Sequence, residues 1–258
     1  MILCYVPKAE LDKITDQAVM LDALRLNVLY MVQQAGSGHL GGSLSSLTIM
    51  VPLFFGGMGP EDVFITSKGH DAPALYAILQ AKGIIPFDTI HTLRRPGGLP
   101  GHPTVDVPGV LFNTGSLGMG ISKANGLAAA DRMNGISRKI HVLVGDGELQ
   151  EGQNDEARRN LDKNVITHVD GNSRQLSRKT PLPWSKGDVV YHPTVKGAGV
   201  SFMEGNNAYH AGALQEDEYM FAVGQIRARI PGVRLEQAEK RPYVRACDVF
   251  TLAKGYPS

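Results

Sequence analysis

Two apolar segments separated by a short helical stretch constrain the fold of this chain more than any other feature. Residues 139–145 read KIHVLVG, residues 164–170 read NVITHVD, and the helical stretch between them begins near Leu149. Continuous apolar strands joined through a helix are typical of parallel pairing, because such strands are buried under helices on both faces. The pattern therefore predicts the α/β class, with a doubly wound, mainly parallel sheet and helices on both faces.

Hydrophobic periodicity adds further elements to this prediction. Apolar residues recur at helical spacing over residues 11–34, 43–55, 72–81, 118–133 and 216–228. Residues 62–66 (DVFIT) predict a strand, residues 94–113 are rich in Gly and Pro and predict a long loop, and residues 193–202 favour a strand followed by a turn. We interpret residues 1–230 as one domain and assign no structure to the tail 231–258.

Composition and charge limit the classes of partner. The net charge is +1 and the basic residues are dispersed, which argues against nucleic acid or an anionic membrane as the main partner. Cys4 and Cys247 provide neither a disulfide framework nor a metal-binding spacing, so a cytoplasmic location is expected. The longest apolar run, LTIMVPLFF (47–55), is interrupted by Pro52 and is shorter than the roughly 18 residues of a membrane helix. The first residues lack the basic region of a signal peptide.

Polar residues follow both central strands. Gly145-Asp146-Gly147 ends the first strand, and Asn172 follows the second. Ligands of doubly wound sheets bind beyond these strand ends, and the flanking glycines let a bulky polar ligand approach the main chain. A carboxylate, an amide and a nearby carbonyl suit Mg²⁺ or Ca²⁺. Gly-Asp-Gly alone favours a simple tight turn, whereas its pairing with Asn172 makes a cation site comparably plausible.

Three histidines directly follow glycine, namely His39, His70 and His102. Each lies in a loop or at an element boundary, where functional groups are common. Imidazoles in such positions bind phosphate, transfer protons or stabilise an oxyanion. For any single one of them, a solvated or backbone-bonded loop histidine is the simpler interpretation.

These residues lie in ordered stretches that resemble the N-terminal, diphosphate-binding half of transketolase. The matching stretches are AGSGHLGGSLS (35–45), TSKGHDAPALYAIL (66–79), LPGHP (99–103), TGSLGMGISKANGLAAA (114–130), GDGELQEGQNDEA (145–157), VDGN (169–172) and TVKGAGVSFME (194–204). They run in family order over roughly residues 10–220, and Gly-Asp-Gly precedes the asparagine with 24 residues intervening, as in thiamine-diphosphate motifs. The resemblance implies the thiamine-diphosphate-binding fold of a diphosphate-binding (PP-type) domain.

The resemblance also implies how the cofactor would be held. Asp146 and Asn172 would ligate Mg²⁺ (or Ca²⁺), with the carbonyl of Arg174 completing the protein's share. Gly145 and Gly147 would lie against the diphosphate of thiamine diphosphate.

Other matching positions would contact the rest of the cofactor or the substrate. His70 would approach the diphosphate, while Gly115 and Leu117 would line the aminopyrimidine side. The residues implied to take part in catalysis are His39, His102, His210 and Glu151. The three histidines match family histidines that line the channel to the thiazolium carbon. Glu151 matches a glutamate that joins a carboxylate network across the family's dimer interface.

The implied activity is the transfer of a two-carbon ketol unit between sugar phosphates, as in the pentose phosphate pathway. In the family a second domain holds the aminopyrimidine, and nothing after residue 220 resembles it. We therefore expect a partner subunit that carries the pyrimidine-binding and C-terminal domains, as in two-gene transketolases, in a homodimer or a heterotetramer.

The chain departs from the family pattern at several points. Residues 157–164 and 173–193 are shorter than the corresponding family segments, and Met119 stands where glutamine is common. Asp71 replaces a small residue after the Gly-His pair and is expected to place a negative charge near the diphosphate.

Two alternatives to a transketolase subunit remain at this point. One is another thiamine-diphosphate enzyme, such as a deoxyxylulose-phosphate synthase or a 2-oxo acid dehydrogenase component. The other is a non-catalytic cofactor-binding or assembly subunit. The stretches LPGHP and KGAGVSFME, followed by His210, favour transketolase.

Overall fold

A computed structural model describes residues 1–172 and 189–242 of the chain. The α-helices are α1 (Lys8–Leu11), α2 (Gln17–Ala35), α3 (Leu40–Pro52), α4 (Ala72–Ala81), α5 (Gly120–Met133), α6 (Gly152–Arg158) and α7 (Glu216–Arg229). The strands are β1 (Ile2–Tyr5), β2 (Val63–Thr66), β3 (Ile140–Gly145), β4 (Val165–Gly171), β5 (Val190–Pro193) and β6 (Glu236–Glu239). The loop predicted over residues 94–113 contains turns and bends only.

The central sheet is parallel and has the strand order β2-β3-β4-β5. Its register aligns Leu143 of β3 with Thr66 of β2 and with His168 of β4. The carboxyl ends of all these strands therefore meet at one edge. The predicted α/β class and parallel sheet are confirmed.

Helices cover both faces of the sheet, because successive side chains of each strand point to opposite sides. Val142 and Val144 of β3 pack in one apolar cluster with Ile121 and other residues of α5. Leu143, between them, packs in a second and larger cluster with residues of α2, α3 and α4. Two cores thus hold the sheet edge rigid from both sides.

Helix α2 begins later than its apolar periodicity predicts. The side chain of Asp16 accepts hydrogen bonds from the backbone N–H groups of Ala18 and Val19 at 2.8 and 2.9 Å, so the helix starts at residue 17 rather than near Leu11. Gly36, with φ of 70°, ends it in the left-handed conformation that favours glycine.

Helix α3 also differs from its prediction. Ser43 does not cap it; its hydroxyl donates to the carbonyl oxygen of His39 at 2.6 Å, inside a helix that begins at Leu40. Together with the irregular turn that follows, residues Leu40–Gly57 form a stretch long and apolar enough to cross a membrane, with a mean hydropathy of 1.4. This corrects the prediction that no such stretch exists. In the fold 61% of it is buried, and α2 and α4 pack against it, as expected of a core helix.

The two ends of the described chain form a small antiparallel sheet that the sequence did not predict. Strand β1 pairs with β6, so part of the unassigned tail is ordered. Tyr219 of α7 anchors this sheet, because its hydroxyl accepts from the backbone N–H of Cys4 at 2.9 Å. Residues 243–258 lie outside the described part of the chain.

The predicted strand and turn over residues 193–202 are displaced toward the N-terminus. Strand β5 ends at Pro193, and turns follow it. Gly197 and Gly199 have φ of 80° and 93°, so the chain cannot continue there as a strand. These turns return the chain toward α3, where the N–H of Gly197 donates to the carbonyl of Gly41 at 3.0 Å.

Candidate functional site

A cavity of about 220 Å³ lies at the carboxyl edge of the sheet, bounded by the segments that end or follow β2, β3 and β4. This is the edge at which parallel α/β sheets bind ligands. The predicted site residues that line it are His70, Leu117, Gly145, Asp146, Gly147, Glu151, Asn172 and His210.

Asp146 and Asn172 share this cavity because they follow neighbouring parallel strands. Gly145 of β3 pairs with Asp170 of β4, and the backbone N–H of Asp146 donates to the carbonyl of Asp170 at 3.3 Å. Asp146 is buried, and its Oδ1 accepts from the N–H of Gly147 at 2.8 Å. A carboxylate and a side-chain amide are therefore presented to the same space.

Asp170 lies beneath this pair and is fully buried. Its carboxylate accepts hydrogen bonds from side chains of separate segments. The donors are Ser45 of α3 at 2.7 Å, Lys68 after β2, Asn172 after β4 at 3.3 Å and Thr194 after β5. A single carboxylate thus fastens several segments that converge on the cavity.

Lys68 and Asp170 form a buried ion pair in which each holds the other charged. Burial opposes both charged forms, but the opposite charge outweighs it, so the pKa of Lys68 is raised and the pKa of Asp170 is lowered. Lys68 Nζ also donates to Ser46 Oγ at 2.8 Å. The pair is ionised at neutral pH and places an ammonium group in the cavity wall.

Glu148 fixes the turn that carries Asp146. Its carboxylate accepts from the hydroxyl of Ser67 and from the backbone N–H groups of Gly118 and Gly145 at 2.8 and 3.0 Å. Burial raises the pKa of Glu148, and these hydrogen bonds partly oppose that effect. The carboxylate therefore connects β2, α5 and β3 and holds the glycine-rich turn in place.

Four histidines that are distant in sequence form one cluster, of which His70 and His210 line the cavity and His39 and His102 do not. The ring centroid of His39 lies 5.3 Å from that of His70, 5.2 Å from that of His210 and 6.4 Å from that of His102. The rings of His70 and His210 are 5.7 Å apart. The structure thus brings together all the histidines that the sequence singled out.

These histidines are neutral at physiological pH. Burial, followed by the proximity of His210, lowers the pKa of His39 to about 4, and burial together with the nearby Lys68 holds the pKa of His70 still lower. Burial also lowers the pKa of His102 and His210. Neutral imidazoles have a ring nitrogen that can accept a proton or a hydrogen bond.

Residues 16–181 match the family model described as "Transketolase, thiamine diphosphate binding domain". The chain belongs to the transketolase family.

Curated relatives of nearly the same length support this assignment. The chain is 33% identical to an apulose-4-phosphate transketolase subunit of Phocaeicola vulgatus, over 84% of this chain and 95% of that protein. It is 31% identical to a 6-deoxy-6-sulfo-D-fructose transketolase subunit of a Clostridium species, over 80% of this chain and 94% of that protein. The predicted resemblance to the N-terminal subunit of a two-gene transketolase is confirmed.

Solved transketolases share the fold over a smaller part of their length. The Campylobacter jejuni enzyme superposes with a TM-score of 0.71 and 25% identity, over 82% of this chain and 42% of that one. A Pichia stipitis variant gives a TM-score of 0.74 at 21% identity, over 92% of this chain and 43% of that one. This chain therefore spans about two fifths of these transketolase chains.

Asp71, which departs from the transketolase pattern, does not face the cavity as expected. It is fully buried, and its Oδ1 accepts from the hydroxyl of Thr66 at 2.9 Å. Burial raises the pKa of Asp71 to about 6, against the opposing charge of Lys68. The carboxyl group of Asp71 therefore lies in the interior beside Lys68 and not at the cavity surface.

The remaining predicted residues form an open rim. Leu117 is 39% exposed and Glu151 is also exposed, and both line the cavity. Gly115 has φ of 124° and packs closely on Gly69, where an added Cβ would lie 2.9 Å from the Gly115 nitrogen. Their roles toward the aminopyrimidine and across an interface stay predictions.

Sequence reasoning missed the buried residues that support the site. Lys68, Glu148 and Asp170 each lie within two residues of a predicted site residue, and that adjacency was the available signal. Their function depends on contacts between distant segments, such as that of Ser45 with Asp170, which no local pattern reveals.

The donor set fits the transketolase cofactor and its cation. Asp146 and Asn172 offer hard oxygens, and Lys68 adds positive charge to the wall. Within residues 1–172 and 189–242 no group of three or more His, Cys, Asp or Glu side chains is arranged to hold a metal, so a cation here would need main-chain and diphosphate oxygens as well. Arg174, predicted to supply a carbonyl, lies outside the described residues.

Proposed function

We propose that this chain is the diphosphate-binding subunit of a two-subunit transketolase, which transfers a two-carbon ketol unit between sugar phosphates. The observation that carries the proposal is one cavity of a transketolase-family chain that is lined by Asp146, Asn172, His70 and His210, with His39 and His102 in the same histidine cluster. An acidic residue and an amide suit a cation-bound diphosphate, and neutral imidazoles suit a sugar with several hydroxyl groups.

The proposed cofactor is thiamine diphosphate with Mg²⁺, or Ca²⁺ in its place. When bound, it supplies the carbon nucleophile that accepts the two-carbon unit from a ketose. Asp146, Asn172 and the carbonyl of Arg174 would hold the cation. Gly145, Gly147 and His70 would contact the diphosphate.

His39, His102 and His210 are proposed to handle sugar hydroxyls. Among the described residues, the Nδ1 atoms of His39 and His210 are buried and have no hydrogen-bond partner. Leaving such atoms unsatisfied is costly, so they favour a ligand that supplies hydroxyl groups. Because burial lowers the pKa values of all three histidines, each ring is neutral at neutral pH and has a nitrogen that can accept a hydrogen bond from a sugar hydroxyl.

A partner subunit is proposed to complete the site. The chain spans almost the full length of proteins named as transketolase subunits but only about two fifths of solved transketolases. The exposed rim at Gly115, Leu117 and Glu151 is where the partner's pyrimidine-binding domain would cover the cofactor ring. We place the assembly, a homodimer or a heterotetramer, in the cytoplasm.

The substrates are proposed to be anionic sugars. The two relatives compared above are named for apulose-4-phosphate and for 6-deoxy-6-sulfo-D-fructose, which carry a phosphate and a sulfonate group respectively. A ketose with a terminal anion is therefore the donor class to test first.

The test is two-carbon transfer by the chain combined with the protein encoded in the adjacent reading frame. Phosphorylated and sulfonated ketoses are offered as donors with an aldose phosphate acceptor, and pyruvate is the comparison donor. Turnover of ketoses supports the proposal. Turnover of pyruvate alone would favour another thiamine-diphosphate enzyme, and cofactor binding without turnover of any donor would favour a non-catalytic subunit.

A further inference from the structure

Asn172 is oriented by a neighbour that can only accept hydrogen bonds. Its Nδ2 lies 3.3 Å from Oδ2 of Asp170. Lys68 forms an ion pair with this carboxylate, and the hydroxyl groups of Ser45 and Thr194 donate to it, so Asp170 is the acceptor in each of these contacts. An ionised carboxylate must face the NH₂ end of the amide, because the two oxygens would repel each other. The amide oxygen of Asn172 is therefore directed away from Asp170.

We propose that Asp170 is a positioning residue for the cation site, which holds Asn172 with its oxygen, and not its NH₂ group, toward the cation. This inference rests on the proposed function of Asn172 as a cation ligand. A side-chain amide is nearly symmetric in shape, and the rotated form would present two N–H groups to a cation. Neighbours that hydrogen-bond a ligand side chain fix its orientation and strengthen metal binding.

The surroundings of Asp170 are built to keep it fixed and charged. Ser45 donates to the same oxygen as Asn172, at 2.7 Å, and Thr194 donates to the other oxygen. Lys68 supplies the positive charge that balances the carboxylate. Both side chains are almost fully shielded from solvent. Rotation of the carboxylate would break several of these bonds together, so Asp170 is a rigid acceptor.

The experiment compares two double variants in which the buried ion pair is absent. Lys68→Met with Asp170→Asn keeps an acceptor oxygen beside Asn172, whereas Lys68→Met with Asp170→Leu removes it. Similar-sized uncharged replacements of a buried ion pair usually preserve folding. Binding of Mn²⁺ in the presence of thiamine diphosphate is measured by electron paramagnetic resonance on the full chain with its co-purifying subunit, and thermal unfolding is recorded for each variant.

The expected result is that the Asp170→Leu double variant binds Mn²⁺ about 10- to 100-fold more weakly than the Asp170→Asn double variant, although both unfold at similar temperatures. Equal affinities in the two double variants would overturn the proposal. If the Asp170→Leu protein does not fold, the Asp170→Asn double variant decides alone. Affinity close to that of Lys68→Met supports the proposal, and a large loss overturns it, because the acceptor oxygen beside Asn172 is still present in this variant.

Failure of the proposed function gives a different result. In that case the unsubstituted chain and its partner bind no Mn²⁺ together with thiamine diphosphate, before any variant is compared.

Discussion

The three acidic residues that line the cavity have different surroundings, and we infer different roles for them from these surroundings. Glu148 is held by Ser67 and two backbone N–H groups, so it supports the turn. Glu151 lies exposed at the rim. Asp146, at the end of β3, lines the cavity together with Asn172, and it is the carboxylate that we propose binds the cation.

Replacing Asp146 with Asn tests this assignment. The change keeps the size of the side chain and its hydrogen bond from Gly147 but removes the negative charge. Affinity for thiamine diphosphate in the presence of Mg²⁺ should fall at least about tenfold, or ~1.4 kcal/mol. Calorimetric titration of the complex with its partner measures this loss.

Asp71→Asn is the matched control. Asp71 is buried against Thr66, so its neutralisation should leave the affinity for the cofactor unchanged. A marked gain in affinity would instead mean that the charge of Asp71 reaches the diphosphate, as the sequence alone suggested.

Helix α5 depends on glycine where it meets the end of β2. A Cβ added to Gly120 would lie 2.4 Å from Cβ of Ser67, the residue whose hydroxyl donates to Glu148. We predict that Gly120→Ala destabilises the protein by about 1–3 kcal/mol through overpacking. Urea-induced unfolding provides the measurement.

The same helix offers a matched comparison at Gly126, where an added Cβ meets nothing within 4 Å. Gly126→Ala should stabilise the protein by up to ~1 kcal/mol, because alanine favours the helix. Equal effects of the two substitutions would contradict the proposed close contact at Ser67.

Three histidines connect neighbouring strands of the sheet. Nδ1 of His141 in β3 lies 2.9 Å from Nε2 of His168 in β4, whose Nδ1 lies 3.0 Å from Nε2 of His192 in β5. Burial, followed by the neighbouring histidines, lowers the pKa of His168 from its usual value near 6.5 to about 3. Burial therefore keeps His168 neutral in the folded protein at physiological pH.

The row predicts that the protein loses stability in acid. A histidine with a lowered pKa in the folded state contributes fully above pH ~6.5, and the contribution is lost as the pH falls toward 3. For His168 the loss at pH 5 is about 2 kcal/mol. Between pH 7.5 and 5, His168→Gln should therefore lose about 2 kcal/mol less of its unfolding free energy than the unsubstituted protein. Identical losses in urea unfolding at the two pH values would refute this.

The sequence predicted the elements that are bounded by local signals. β3, β4, α4 and α5 lie within a few residues of their predicted limits, because each is an apolar or periodic run that glycine interrupts. The start of α3 was wrong, since the hydroxyl of Ser43 turns back to the carbonyl of His39 instead of capping the helix. β1 and β6 were missed because their pairing joins the two ends of the described chain, which no local pattern reveals.

Most of the predicted site residues line one cavity in the structure, but the buried residues that hold them in place were not predicted. Asp146, Asn172 and the histidines carry recognisable flanking residues, which local spacing reveals. The contact of Ser45 with Asp170 spans 125 residues and depends on how α3 packs on β4. Such contacts follow from tertiary packing, which the spacing of single residues does not encode.

At the scale of the whole molecule, we propose that the chain forms one side of a cofactor site. Its floor contains the buried Lys68–Asp170 ion pair, whereas its rim at Leu117 and Glu151 is exposed. A site with a rigid floor and an exposed rim is suited to closure by a second protein surface. We therefore expect the complex to bind the cofactor more tightly than either of its two proteins does alone.

Calorimetric titration of thiamine diphosphate with Mg²⁺ into the chain alone, the adjacent-frame partner alone and their mixture tests this claim most directly. We predict saturable, stoichiometric binding in the mixture and affinity at least about tenfold weaker for either protein alone, a difference of ~1.4 kcal/mol or more. Binding by the isolated chain as tight as in the mixture would contradict it.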